Sequence, residues 1–275
     1  MEGAISSVPN TRIAVVTGGN KGIGFEVCWQ LASGGITVVL TARDETRGAE
    51  AVEKLIALGV TNVVFHQLDV TDTSSIATLV DFLKTRFGKL DILVNNAAIG
   101  GVEYLQELDT SEETFAGMDF DQMLEWMVKN VRERIDSAKK GVQTNYYGTK
   151  HVTEAVLPLL QSSSEGRIVN VSSIFGLLRL ISNEKVRREL SDIDNMTEER
   201  LDELLNRFLR DFEADALEAC GWPMGCSALL KTDITMNSGV LTPEEGARNV
   251  VKVALLPDGG PTGKYFAEGE EASFV

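Results

Sequence analysis

Short apolar runs alternate with helical periodicities over the first ~95 residues, the pattern of βαβ units feeding a parallel sheet. Ile13 to Thr17 is a buried-strand run, a glycine turn follows, and a helix is predicted from about Ile23 to Ser33, with Gly34 and Gly35 suited to its C-terminal cap. Thr37 to Thr41 predicts the second strand, and Asp44 is a plausible N-cap for the next helix. On that helix Ala49, Val52, Leu55 and Ile56 are expected to share the buried face. Asn62 to Phe65 predicts a third strand. Ile76, Leu79, Val80, Leu83 and Phe87 then recur at helical spacing until Gly88. Asp91 to Val94 and Arg167 to Val171 give the fourth and fifth strands.

Two charged, helix-favouring stretches, Gly101 to Lys140 and Ser182 to Pro223, interrupt this rhythm, and neither looks like a core element. They read as insertions on one domain spanning 1–275, and no internal repeat is present. Two roles stay open for them: solvated helical decoration, or a lid above the carboxyl ends of the strands, where functional loops gather. The expected fold class is α/β, a Rossmann-like doubly wound parallel sheet with helical lid insertions.

Charge narrows the partners. A net charge of −15 and a pI near 4.6 argue against nucleic acid and anionic membrane, because phosphates are repelled. No apolar run is long enough to span a bilayer. Met1 to Asn10 lacks the basic-then-apolar order of a signal peptide. Cys28, Cys220 and Cys226 have no metal-ligand spacing, and His66 and His151 have no supporting constellation, so no metal is expected. Reduced thiols in a cytoplasmic protein are the expectation.

The chemistry begins at Thr17-Gly18-Gly19-Asn20-Lys21-Gly22-Ile23-Gly24, directly between the first strand and the first helix. Gly18 can take a positive φ, and Gly22 and Gly24 let backbone and helix approach closely. The helix N-terminus then offers unpaired N–H groups to a pyrophosphate. No Gly-Lys-Ser/Thr follows, which excludes a P-loop. Arg43 lies just beyond the second strand, where an NAD enzyme would place a carboxylate on the ribose 2′-hydroxyl. With Lys21 it suits a 2′-phosphate, so NADP(H) is the expected cofactor, although Asp44 adjoins Arg43.

With Leu68-Asp69-Val70, Asn95-Asn96-Ala97-Ala98, Asn145-Tyr146-Tyr147-Gly148 and Ile168-Val169-Asn170-Val171-Ser172-Ser173 added, the chain resembles the short-chain dehydrogenases/reductases. The two insertions, Gly221-Trp222-Pro223 and Leu255-Leu256-Pro257-Asp258 resemble, more narrowly, the monomeric plant reductases of the salutaridine reductase and neomenthol dehydrogenase type. Ala98 departs from the usual glycine. The resemblance implies that Asp69 and Val70 flank the adenine, and that Asn96 and Ala97 hold the end of strand four and the cofactor ribose. It implies that Asn145 bends its helix and supports a relay water, that Ser173 donates to the substrate carbonyl oxygen, and that Thr232 contacts the nicotinamide side. The implied partner is a small terpenoid- or alkaloid-like ketone or enone of secondary metabolism, and the implied state a monomer.

Catalysis in that family needs a tyrosine, and a lysine one helical turn later, downstream of the serine. The lysine lowers the phenol's pKa from about 10 so that it can serve as general acid. After Ser173 the only tyrosine is Tyr265, and no lysine follows it. Tyr146 and Lys150 have the spacing but precede Ser173, on the helix that carries Asn145. Cys226-Ser227-Ala228 resembles the approach to the catalytic helix, and Leu229-Leu230-Lys231-Thr232 the stretch after strand six. A helix, a strand and a loop, in that order and ~35 residues by ordinary element lengths, are therefore expected to be missing between Ala228 and Leu229. Strand five should then lose its outer neighbour, the last strand near Gly263 to Phe266 should lose its pairing partner, and one sheet face should lose a covering helix. Two functions stay open: an NADPH-dependent carbonyl reductase, or a catalytically inactive NADP-binding remnant or truncated splice product.

Overall fold

The computed structural model describes residues 11–100, 103–104, 122, 125–126, 129–132, 134–173, 176–222, 242–257 and 259–274. Contacts group the chain into two compact units. One comprises Met1–Ala97, Tyr147–Val171 and Leu241–Glu271; the other comprises Ala98–Tyr146, Ser172–Val240 and Ala272–Val275.

The first unit is built on a parallel sheet. Its elements are β1 (Ile13–Val16), α1 (Gly22–Ser33), β2 (Thr37–Ala42), α2 (Glu45–Ala57), β3 (Val63–Gln67), α3 (Thr73–Arg86) and β4 (Ile92–Asn95). In the second unit β5 (Glu103–Tyr104) pairs antiparallel with β6 (Val131–Arg132), ahead of α4 (Ile135–Gly141). A π-helical stretch, Val142–Gly148, leads into α5 (Thr149–Gln161) and β7 (Arg167–Asn170) of the first unit. The five long strands run β3-β2-β1-β4-β7, all parallel. β1, β2 and β4 are buried along their whole length, which is why they read as continuous apolar runs. Period two still sorts their side chains. Ala14, Val16, Val38, Leu40, Ile92 and Val94 join the core under α1 and α2, whereas Ile13, Val15, Val39 and Leu93 join the one under α3 and α5.

Between these strands the helices start and stop where capping chemistry places them. Asp44 accepts from Arg47 N and Asp72 from Ser74 N, and Gly35 and Gly88 take positive φ just past α1 and α3. At the amino end of the sheet the buried carboxylate of Asp91 accepts from Ile13 N at 2.7 Å, Lys89 Nζ at 3.0 Å and Ser163 Oγ at 2.5 Å. That group ties β1, β4 and the loop after α5 together.

The second unit has a small core of its own. Leu178–Leu180 forms a 3₁₀ turn, followed by α6 (Glu184–Ser191) and α7 (Glu198–Glu213). Ile181, Val186, Phe208 and Trp222 are buried together, with Phe208 and Trp222 edge-to-face at 5.4 Å. The Trp222 indole donates to Asp211 at 2.8 Å. Lys139 pairs with Glu213, joining α4 to α7. So the stretch 182–223, expected to hold no core element, contributes three of the four buried residues in this cluster. Its apolar residues are spaced by charges, and the helical stripe is visible only once α6 and α7 face each other.

α8 (Pro243–Ala254) returns to the first unit and packs along α1, with a capping box between Thr242 and Glu245. β8 (Tyr265–Ala267) pairs with β9 (Glu270–Ala272) in a separate two-stranded hairpin and does not join the parallel sheet.

The buried face of α2 differs from expectation. Gly48, Ala51 and Leu55 are buried with Val52 beside them, while Ala49 is exposed and Ile56 is 50% exposed. The cause is Phe65 on β3, whose ring occupies the space over Gly48: a Cβ there would lie 2.0 Å from the ring. Close approach at a glycine turned the helix away from its most apolar stripe.

β7 is an edge. Arg167 and Val171 donate to Asp91 O and Asn95 O at 2.9 Å, so period-two alternation turns the N–H and C=O of Ile168 and Asn170 away from β4. Among the described residues no strand lies beyond β7. Ile168, beside Leu93 on the α3–α5 face, is 41% exposed.

Two outcomes follow. Gly48→Ala should destabilise by about 1–3 kcal/mol through the clash with Phe65, outweighing a helix-propensity gain of about 1 kcal/mol; equal urea midpoints for the two proteins would refute this. Hydrogen bonds from Ser74 hold the Asp72 carboxyl below the usual range, and hydrogen bonds from Thr242 do the same for Glu245. Depressed carboxylates contribute stability above their unfolded pKa, about 4, and lose it as pH falls through the lower folded values. The thermal midpoint should therefore drop between about pH 5 and pH 2, and Asp72→Asn should flatten that drop.

Candidate functional site

The glycine turn is held from below by the end of β4. Thr17 is 2% exposed, and its Oγ1 accepts from both Asn96 N and Ala97 N at 2.9 Å. The Asn96 amide returns the contact, donating Nδ2 to Thr17 O at 2.9 Å and to Gly18 O at 3.1 Å. Gly19 N donates to Thr41 O at 2.8 Å, tying the turn to β2 as well. Gly18 has φ +65°, and a Cβ on it would lie 2.9 Å from Ala97 Cα. A Cβ on Gly24 would sit 2.4 Å from Asn96 Nδ2 and from Gly18 O. Here the expected reason for glycine, close approach of backbone and helix, is met by named atoms.

Above the turn, α1 begins without a side-chain cap. Lys21 is the N-cap residue in extended geometry and accepts no capping bond, and the first turn holds no acidic side chain. The first amides of α1 therefore have no side-chain partner, which suits an anion at that end. Gly22, at φ +54°, lies beside exposed Lys21. Asn20 and Ile23 are half-buried, and Ile23 Cδ1 packs 3.0 Å from where a Cβ on Gly246 of α8 would be. Arg43 is exposed immediately after β2, with its backbone carbonyl accepting from Gln67 Nε2 at 3.2 Å. The uncapped helix, the glycine cradle and the buried, unpartnered Asn96 Oδ1 all fit a dinucleotide.

Two more expected residues sit after β3. Asp69 Oδ1 accepts from Thr71 N at 2.9 Å and Thr71 Oγ1 at 2.7 Å, closing a local turn. Val70 is buried in the α3–α5 layer, where a Cβ on Gly148 would come within 2.8 Å of its Cγ2.

The second unit carries the other two. Asn145 is 9% exposed in the middle of the π-helical stretch. Its side chain clasps the backbone of one residue on both sides, Nδ2 donating to Ile99 O and Oδ1 accepting from Ile99 N, each at 2.9 Å. Ser173 is half-buried three residues past β7, and its carbonyl accepts from Gly176 N at 2.8 Å. Tyr146 lies in the π-helical stretch and Lys150 in the first turn of α5, on the helix that precedes β7. Thr232 and the junction at Ala228 and Leu229 lie outside the described residues.

Sequence reasoning missed Asn95. Its Nδ2 donates to Thr153 Oγ1 at 3.0 Å and Asn170 Oδ1 at 2.8 Å, joining β4, α5 and β7. The first asparagine of the Asn95-Asn96 pair, at the strand end, was the available signal. His66 is structural: its ring lies 4.9 Å from Phe82, and burial lowers its pKa. Among the described residues no group of three or more His, Cys, Asp or Glu side chains could hold a metal.

A doubly wound parallel sheet whose first βα turn is a glycine cradle under an uncapped helix defines a Rossmann-like dinucleotide-binding protein. The family model described as "short chain dehydrogenase" matches residues 12–184, and the chain belongs to that family of oxidoreductases, in the branch of salutaridine reductase and neomenthol dehydrogenase. It is 42% identical to "Short-chain dehydrogenase/reductase 1" of Saponaria officinalis, with 100% of each chain covered. Salutaridine reductase from Papaver somniferum superposes with a TM-score of 0.82 at 43% identity, over 92% of this chain and 98% of that one. Menthone neomenthol reductase from Mentha piperita gives a TM-score of 0.83 at 40% identity, over 95% and 100%. The Saponaria alignment runs to 308 positions, and 275 residues here leave at least 33 of them filled only by the relative.

Thr17→Val keeps the volume but removes the acceptor of two buried N–H groups. It should cost at least about 1–3 kcal/mol in urea unfolding; a loss below about 0.5 kcal/mol, typical of a neutral surface change, would count against this account.

Proposed function

We propose that the chain is an NADPH-dependent reductase of a small terpenoid- or alkaloid-like ketone or enone, acting in plant secondary metabolism. The observation that carries the cofactor assignment is the pair of exposed cations, Lys21 at the uncapped start of α1 and Arg43 just past β2. A 2′-phosphate needs cations there, where a 2′-hydroxyl would need a carboxylate. Bound NADPH supplies the hydride. The chain's own contribution is to hold the pyrophosphate at Gly18–Gly24 and the ribose near Asn96 and Ala97, with Thr232 on the nicotinamide side. Asp69 and Val70 would border the adenine, Ser173 would donate to the carbonyl oxygen, and Asn145 would fix the backbone of Ile99 and support a relay water. The setting we infer is cytoplasmic: Cys28 and Cys220 are free thiols, and no described helix is long and apolar enough to cross a membrane.

A second reading rests on a specific observation. No tyrosine–lysine pair follows Ser173, and general-acid catalysis typically contributes 10²–10⁴-fold, a factor this chain would forgo. At least 33 positions present in the Saponaria relative have no counterpart here, and among the described residues β7 is the last strand on its side of the sheet. These support a segment missing between Ala228 and Leu229, and a 275-residue form that binds NADPH without turnover.

Fluorescence titration with NADPH and an assay with ketones and enones separate the two. The reductase reading expects NADPH oxidation by this chain, or at least by a lengthened chain carrying the relative's segment between Ala228 and Leu229; it fails if neither turns over. The inactive reading expects saturable binding without turnover, and fails if the 275-residue chain works within about tenfold of the lengthened one. Arg43→Ala should weaken NADPH binding at least about tenfold, as expected for losing a charge-assisted bond, and leave NADH nearly unchanged.

A further inference from the structure

Where β2 and β3 end, a side chain continues their pairing. Leu68 N donates to Ala42 O at 2.9 Å, just past the paired residues Ala42 and Gln67. One position further along β2, Gln67 Nε2 donates to Arg43 O at 3.2 Å, as a backbone N–H would have done. The other end of the same amide is held as well. Ser75, 7% exposed in the first turn of α3, donates its hydroxyl proton to Gln67 Oε1 at 3.1 Å and accepts from Asp69 N at 2.9 Å.

Donor and acceptor chemistry allows this chain one polarity. A backbone carbonyl only accepts, so the Gln67 amide must turn Nε2 toward Arg43 and Oε1 toward Ser75. A backbone N–H only donates, so the single Ser75 hydroxyl proton is left for Gln67. Asp69, Ser75, Gln67 and Arg43 are thereby joined in series, with each bond fixing the direction of the next.

The chain spans two turns that are each fixed locally. Asp44, next to Arg43, accepts from Arg47 N at 2.9 Å and caps α2. Asp69 O accepts from Asp72 N at 3.1 Å, and Asp72 caps α3. What Gln67 and Ser75 add is the link between the turns. Arg43 on one side and Asp69 with Val70 on the other are the residues read as meeting the adenosine part of the cofactor.

The two ends of the chain have different consequences. Arg43 is exposed, so a bound phosphate has to order its long side chain. A carbonyl held in place fixes the peptide plane between Arg43 and Asp44 beforehand and lowers the entropy lost on binding. A fault at Gln67 therefore reaches the 2′-phosphate through Arg43 and leaves the Ser75–Asp69 bond in place. A fault at Ser75 removes the partner of Asp69 N and of Gln67 together.

We propose that Gln67 and Ser75 are positioning residues for the adenosine half of the nucleotide, and that Gln67 sets the preference for a 2′-phosphate through its hold on Arg43. The inference rests on the reading of Arg43 and Asp69 as cofactor residues and deepens it: selectivity belongs to the Gln67–Arg43 pair, not to the guanidinium alone.

Fluorescence titration of the 275-residue chain and its variants with NADPH and with NADH tests this. Gln67→Met keeps the side-chain length and removes both hydrogen bonds. It should weaken NADPH at least about threefold, within the range of one lost hydrogen bond, and leave NADH within about twofold. In an Arg43→Ala background the same change should have no further effect on NADPH, because the guanidinium it positions is gone. Ser75→Ala should weaken both nucleotides at least about threefold. Circular dichroism reports whether each variant is folded.

A glutamine that only closes the sheet would move both nucleotides together, or neither, and equally in both backgrounds; that pattern overturns the proposal. So do full additivity of Gln67→Met with Arg43→Ala, and unchanged binding of both nucleotides by folded Ser75→Ala. If Arg43→Ala weakens NADPH but Gln67→Met does not, this inference alone fails. If the unmodified chain binds neither nucleotide, or Arg43→Ala leaves NADPH binding intact, the cofactor reading fails and takes this inference with it.

Discussion

The close approach of the glycine turn to the end of β4 is the constraint on which the first unit depends. Thr17, Gly18 and Gly24 pack against Asn96 and Ala97 so tightly that no side chain fits at either glycine. Because the bonds run in both directions, the turn cannot lift without uncovering buried donors and acceptors together. That fixes where α1 starts, and so where its uncapped amides point. The sheet order follows from the same contact, since it makes β4 the direct neighbour of β1 on the side opposite β2. The glycine cradle and a sheet junction are here the same set of atoms.

Much of this was legible from local rules. Strand positions, the caps at Asp44, the stops at Gly35 and Gly88, and the glycine turn each depend on residues within a few positions of one another. The α2 face was not legible, because it was decided by Phe65, distant in sequence and invisible to a helical periodicity. The small core around Trp222 was hidden for a related reason. Its apolar residues are spread over the turn at Leu178, two charged helices and the loop after them, and only tertiary pairing assembles the stripe. The reciprocal clasp of Asn145 on Ile99 likewise joins residues 46 apart, so a helix polar residue looked ordinary until its partner was in view.

The candidate site residues divide along the same line. Lys21, Arg43 and the glycines announce themselves by sitting at strand ends in a βα turn, where backbone geometry leaves few alternatives. Asn145 and Ser173 belong to the second unit, and their roles were read from resemblance, since neither residue type carries a local code. Asn95 shows the intermediate case. It ties three elements through one amide, and the sequence offered only a paired asparagine as its sign.

Cys28 lies in helix α1. It is fully buried under the glycine turn, with its sulfur 2.9 Å from where a Cβ on Gly19 would be, and burial pushes its thiol far above the ordinary range. The thiolate is the species that alkylates, so this group is silent while the layer stays closed. It becomes reactive only when α1 lifts from β1 and β2. The rate at which a small thiol reagent consumes Cys28 is therefore a clock for the opening of the layer beneath the glycine turn, running at one atom inside the native protein.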